Sequence, residues 1–372
     1  MKYGAITIDT SIFDRYALAF TSHPLKSLEQ FANKPAGLVL SEIVIRELRS
    51  HLSRKIEEHS QSLRKALKNS SLLDLDSSLV KPIGDLLNEI NSNELAEAQL
   101  KAFSDATRLK IVVAENHVKL GDLIRKYFDS KPPFAESGQK KSEFPDAICL
   151  MSLEAYAKEK NFKIIAVSED KDWKSFADQS DWIDVEPEFS KAISSFQPQT
   201  SAYSFCSNFI CNWDTPRYEP ILADITNFVE RATESMDVAV NAESGLHWEA
   251  DDISVTLESF EIITNGDAEE DIKPIQINEF ELTFAVSINV ICRANAEFSL
   301  SAYDSIDKDY VRLGGCSDST DFEFQAEMFV SLSGDLDGNV NDLEVDDVEI
   351  SVPHVSVDFG YLEPDWHDED YA

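Results

Sequence analysis

Two kinds of apolar spacing divide this chain. In the first half, short unbroken apolar runs alternate with stretches whose apolar residues recur every three to five positions, the pattern of strands and helices that builds a parallel sheet covered by helices. Ala5-Ile6-Thr7-Ile8 reads as a buried strand, followed by a helix over 12–20. Residues 38–40 read as a second strand, and the helix after it carries Glu42 and Glu47 into the basic, amphipathic segment His51 to Leu67. From about 84 to 128 the spacing of Leu86, Leu87, Ile90, Leu95, Leu100 and Phe103 stays helical, so residues from about 51 to 130 are expected to form a helical arm. The run from Lys131 to Lys141, with its prolines, glycine and serine, reads as a loop. A helix from Asp146 to Lys160 and a strand over 163–167 complete the first part.

After a helix at Ile221 to Ser235 the period changes to two. Ile253–Phe260, Glu279–Val290, Ala296–Ala302, Phe322–Leu332 and Val345–Val357 alternate apolar and polar residues, as strands with one dry and one wet face do. The expected organisation is an α/β domain over 1–195, a linker over 196–215 around Gln197-Pro198-Gln199, and a mainly antiparallel β domain over 216–372, either one sheet or a small sandwich.

Charge sharpens that boundary. The 372 residues carry a net charge of -36. Residues 200–372 hold 39 acidic and 6 basic side chains, against 30 and 27 in the first 199. Any phosphate backbone must therefore meet the first part, where the lysines and arginines are. The acidic part admits three readings: a solvated face that keeps the protein soluble, a surface for a basic protein partner, or an imitation of nucleic acid that lies across the basic side of the first part. The five cysteines are odd in number and include no C-x-x-C pair, which fits reduced thiols without a zinc site. No run of about 18 apolar residues occurs, so a cytoplasmic protein away from membranes is expected, its oligomeric state left open.

Acidic side chains mark the candidate chemistry. Asp9 ends the first strand, Glu47 lies on the helix after the second, Asp146 opens a helix after Phe144-Pro145, and Asp170 follows Ile164-Ile165-Ala166-Val167-Ser168. A parallel α/β sheet brings such positions together at the carboxyl ends of its strands. Carboxylates so gathered raise one another's pKa and need a divalent cation to stay ionised, and an oxygen-only set suits Mg²⁺ or Mn²⁺. Such a cation can activate water and stabilise the leaving oxygen of a phosphodiester. Glu42 lies about 140° around the helix from Glu47, so the two cannot face one site together. Asp172 competes with Asp170 as a ligand or caps the next helix. Arg46, Arg49, Lys140, Lys141 and Lys171 are the candidate contacts to nucleic acid. No G-x-S-x-G elbow occurs, and Ser11 stands where haloacid-dehalogenase-like phosphatases need an acid. Ser333 to Glu344 approaches a calcium loop, but Ser at its first position and flanking strands favour a hairpin turn.

Asp9-Thr10-Ser11, Ser41-Glu42-Ile43-Val44-Ile45-Arg46-Glu47-Leu48, Phe144-Pro145-Asp146-Ala147-Ile148 and Val167-Ser168-Glu169-Asp170-Lys171-Asp172-Trp173 resemble, in order and spacing, the four motifs of PIN-domain ribonucleases of the long bacterial PIN-like subgroup. The likeness covers about residues 1–190. It implies a three-layer PIN-like fold with a helical insertion and metal-dependent endonucleolytic cleavage of RNA. Asp9, Glu47, Asp146 and Asp170 would be the catalytic acids and metal ligands, and Ser168 the hydroxyl that orders the site. A structure-specific DNase is the alternative enzyme, with single-stranded DNA as a further substrate. An inactive PIN-like regulator working through its acidic domain is the alternative class. The sequence leaves the physiological role open among toxin, antiviral defence and RNA processing.

Overall fold

The computed structural model describes residues 2–69, 77–134, 144–197, 201–278, 281–306, 308–336 and 340–365. The chain divides into two compact units, Met1–Phe196 and Gln197–Ala372. Among the described residues no helix is long and apolar enough to cross a membrane.

The first unit is built on five parallel strands: β1 (Ala5–Ile8), β2 (Gly37–Ser41), β3 (Lys110–Val112), β4 (Ile164–Val167) and β5 (Ile183–Glu186), in the order β3-β2-β1-β4-β5. β1 and β4 are buried at every position, which is why they read as unbroken apolar runs. The helices are α1 (Thr10–Arg15), α2 (Glu42–Asn69), α3 (Ser77–Glu89), α4 (Ser92–Thr107), α5 (Leu120–Phe128), α6 (Phe144–Lys160), α7 (Lys171–Ala177) and α8 (Phe189–Ser194). With strands 1 and 4 adjacent, the chain leaves β1 toward β2 on one side and β4 toward β5 on the other. The loops after β1 and β4 thus diverge and open a crevice at the carboxyl edge, where α/β folds bind ligands.

Two expectations about this unit need correction. The segment from about 51 to 130 is not one helical arm, because β3 intervenes as the edge strand beside β2. Its three residues are too few to show a two-residue period, and two of them are exposed. α4 also returns to the core: the Phe103 ring lies 4.6 Å from that of Phe20 and 6.0 Å from that of Phe13. The helix expected over 12–20 begins at Thr10 and stops at Arg15. Ala17 and Leu18 take left-handed backbone conformations (φ 55° and 59°), and Leu18 N–H donates to the Phe13 carbonyl at 2.9 Å, ending the helix. Phe13 is fully buried. Its replacement by alanine is expected to cost about 3–5 kcal/mol, measured as a lower urea midpoint with unchanged slope.

The second unit opens on α9 (Ser201–Asn212), which corrects the expected linker: Phe205, Cys206, Phe209 and Ile210 of this helix are buried in the unit's core. Then come α10 (Glu219–Glu234), β6 (Val238–Glu243), β7 (His247–Ile262), α11 (Ala268–Asp271), β8 (Ile272–Ile277), β9 (Glu281–Asp304), β10 (Asp309–Ser333), β11 (Glu344–Ser351) and β12 (Val355–Tyr361). The main sheet is antiparallel, in the order β11-β10-β9-β7 with β8 also paired to β9, while β6 and β12 form a separate parallel pair. β9 joins two strands expected separately. Small and polar residues of Ile291-Cys292-Arg293-Ala294-Asn295-Ala296 hide a period that continues through them. β10 and β11 pair with Ser333 opposite Glu344, so the calcium-like segment connects an antiparallel hairpin, its residues 337–339 lying outside the described residues.

Candidate active site

Asp9 and Asp170 lie in the loops after β1 and β4 at the carboxyl edge of the parallel sheet, and Glu47 and Asp146 lie on α2 and α6. Asp9 sits one residue beyond β1 in extended conformation, its N–H donating to the Val167 carbonyl of β4 at 3.0 Å. Its Oδ2 accepts the hydroxyls of Ser11 (2.7 Å) and Ser168 (2.8 Å). The buried Ser168 hydroxyl also accepts the Asp170 N–H at 3.1 Å, so one side chain ties together the loops after β1 and β4. Asp170 caps α7, its Oδ1 accepting the Asp172 N–H at 2.6 Å.

Glu47 and Asp146 arrive on helices. Glu47 Oε2 accepts the Thr10 hydroxyl at 2.6 Å. One turn further along both helices, His51 Nδ1 meets Asp14 Oδ2 at 2.6 Å, a second rung between α1 and α2 that fixes the rotation of α2. Glu42 points elsewhere: its Oε1 accepts the Ala114 N–H at 2.8 Å and its Oε2 bonds Arg46 at 2.9 Å. Asp146 lies in the first turn of α6, and its Oδ1 accepts the indole N–H of Trp173 at 3.0 Å.

The acids are electrostatically coupled. Burial pushes the Asp146 carboxyl up to about 6; the Trp173 bond opposes the rise, and the charges of Asp9, Asp170 and Glu47 add to it. Burial also raises Asp9, with Asp170 adding to the rise and the Ser11 and Ser168 hydroxyls opposing it. Beneath them, burial drives the Cys149 thiol well above its ordinary value, and the negative charges of Asp146, Asp9 and Glu47 add to this. That keeps Cys149 protonated and inert as a metal ligand. None of the four acids forms an ion pair with Lys, Arg or His among the described residues; their side-chain donors are the neutral Thr10, Ser11, Ser168 and Trp173. No three His, Cys, Asp or Glu side chains among the described residues are already gathered closely enough to hold a metal ion. The acids thus feel one another's charge without being drawn to ligand distance.

The donor set fits a hard divalent cation: carboxylate oxygens, no usable thiol, and no ion pair to a basic side chain among the described residues. Asp172 stands on the first turn of α7 with its backbone N–H on Asp170. Of the basic candidates, Lys171 is exposed beside Asp170, Arg46 pairs with Glu42, and Arg49 pairs with Glu97 of α4 at 3.3 Å. Lys140 and Lys141 lie outside the described residues. Sequence reasoning missed Thr10, Trp173 and Cys149 as parts of this site. The first two lay within the quoted motifs, but nothing local says which carboxylate a donor reaches.

The sequence profile of the PIN domain matches residues 6–173. PIN domains are a family of nucleases, typically dependent on divalent metals. No curated protein and no solved structure matches the chain.

Proposed function

We propose, from the premise that residues 6–173 form a PIN domain, that the first unit is a Mg²⁺- or Mn²⁺-dependent endoribonuclease. One observation carries the reading: four carboxylates share one electrostatic neighbourhood, with neutral donors and no basic partner among the described residues. Charges arranged so are costly unless a cation joins them.

In this reading Asp9, Glu47, Asp146 and Asp170 hold the cation, with Asp172 as a further oxygen donor at the rim. When bound, the cation supplies an activated water and charge stabilisation for the leaving oxygen of a phosphodiester. The Ser168 hydroxyl holds Asp9 against the loop of Asp170 and keeps both strand ends in register. Lys171 would meet a phosphate beside the site, Lys140 and Lys141, which precede Asp146 in sequence, are further candidates for phosphate contact, and Arg46 and Arg49 would exchange their acidic partners for phosphates. The second unit suits no polyanion. On the exposed face of its sheet Arg293 is held by Asp321 at 2.7 Å and by Glu258 at 3.5 Å, amid further acids such as Glu297 and Glu323. A basic protein is the partner its charge fits.

Incubating the purified chain with RNA and with single-stranded DNA, with Mg²⁺ and with EDTA, tests the proposal. Internal cleavage of RNA in Mg²⁺ that stops in EDTA is the expected result. Cleavage of DNA alone would transfer the site to a deoxyribonuclease, and cleavage unaffected by EDTA would remove the cation from it.

A further inference from the structure

At the crevice, the two residues that bond the helix-borne acids lie in the first turns of the helices that the strand-end acids Asp9 and Asp170 precede as N-cap residues. Thr10 follows Asp9 and reaches Glu47 on α2; Trp173 lies one turn after Asp170 and reaches Asp146 on α6. We propose that Thr10 and Trp173 are positioning residues, each bracing a carboxylate from another helix so that one oxygen is tied and the other is presented to the cation. This rests on the cation-dependent reading of the site.

The chemistry of the donors supports it. Glu47 has three side-chain torsions and Asp146 two, and neighbouring negative charge drives both carboxylates apart unless something holds them. A lysine or arginine would hold them more tightly but would also neutralise the charge and compete with a cation. A hydroxyl and an indole N–H restrain the carboxylates and leave the charge in place. Both braces are stiff, since Thr10 is 6% and Trp173 1% exposed, and a threonine or a packed indole has few rotamers to choose from. The Asp14–His51 rung stops α2 from turning Glu47 away, so the Thr10 bond sets only the final orientation of the carboxylate.

The test uses Thr10→Val, which keeps the shape and removes the hydroxyl, Thr10→Ser, which restores it, and Trp173→Phe, which removes the N–H. Mn²⁺ affinity is measured by calorimetry on the full chain, and thermal melting is followed in EDTA. Thr10→Val and Trp173→Phe are expected to weaken Mn²⁺ binding by about 10–100-fold, the usual effect of removing a ligand's hydrogen-bond partner. Thr10→Ser should return to within about threefold of wild type, and Thr10→Val should melt in EDTA within about 3 °C of it, because it loses one part-buried hydrogen bond. Trp173→Phe is expected to melt lower, which is why Thr10 provides the cleaner reading. As a separate readout, the indole N–H resonance that disappears in Trp173→Phe should shift when Mg²⁺ is added to the wild type.

Wild-type Mn²⁺ affinity retained in both variants would overturn the bracing role and leave the cation site standing. Binding lost only in proportion to a lower melting temperature would make the contacts purely structural and also overturn it. A wild-type chain that binds no Mn²⁺ would sink the site itself and the inference with it.

Discussion

Asp146→Asn is expected to abolish cleavage while making the cation-free protein more stable. The two effects have one cause. Burial and the charges of Asp9, Asp170 and Glu47 raise the Asp146 carboxyl from 3.8 to about 6. Between those values the folded chain holds a proton that the unfolded chain has lost, so the contribution of Asp146 is most favourable below 3.8 and declines as pH rises through the window. Above about 6 the folded state carries the full penalty of an ionised, crowded carboxylate. Discounted for its partial exposure, that penalty is about 2 kcal/mol. Asparagine keeps the shape, still accepts the Trp173 N–H, and carries no charge. In EDTA at pH 7.5 the variant should melt about 4–8 °C above the wild type. In Mg²⁺ its cleavage rate should fall by about a thousandfold or more, the scale set by losing a central electrostatic element of a site. A variant that is slower but no more stable without cation would mean that Asp146 is not under the repulsion described.

The second large effect is in the pH dependence of cation binding. At pH 7 Asp146 is mostly ionised and a cation enters without displacing its proton; below about 6 that proton must leave first. The apparent dissociation constant for Mn²⁺ is therefore expected to be flat above pH 7 and to weaken by about tenfold for each pH unit below 6, the slope of one released proton. Asp9, also raised by burial, steepens the acid limb where its own proton is retained. Calorimetry in buffers of different ionisation heat counts the protons directly. A flat affinity from pH 5 to pH 8 would contradict the coupling of Asp146 to its neighbours.

Much of this was legible in the sequence because burial and periodicity leave clear marks. β1 and β4 are buried on both faces, so they appear as unbroken apolar runs, and Asp9 and Asp170 stand out as the polar residues just beyond them. The dry and wet faces of the second unit's sheet appear as alternation. Other features depend on partners distant in sequence. The angle between Glu42 and Glu47 separates their faces without saying which one meets Asp146; the Thr10 and His51 rungs to α1 decide it. β3 has three residues and an exposed edge, too little for any period to emerge. α9 was hidden because Ser201 to Asn212 follows a Pro- and Gln-containing segment and mixes apolar with small polar residues, although Phe205 and Phe209 fall one turn apart on a buried face. Thr10 and Trp173 could be seen as residues but not as donors, since the carboxylates they hold lie on other elements.

The division of charge adds a constraint on how the chain works. If the proposed RNA substrate binds, its phosphate backbone would be drawn to the basic side chains of the first unit and repelled by the charge of the second, so rising ionic strength would weaken that binding and also relieve the repulsion. The salt dependence of binding should consequently be shallower than the number of contacting lysines and arginines alone would set. A filter-binding titration between 50 and 300 mM salt, by its slope, reads this balance.

The central claim is that Asp9, Glu47, Asp146 and Asp170 together hold a divalent cation. Anomalous diffraction from crystals of the full chain grown with Mn²⁺ tests it most directly. The account predicts a peak within about 2.5 Å of oxygens from at least three of the four, absent in Asp146→Asn or much reduced there. A site left without a peak at saturating Mn²⁺, or manganese found only elsewhere on the acidic chain, would contradict it.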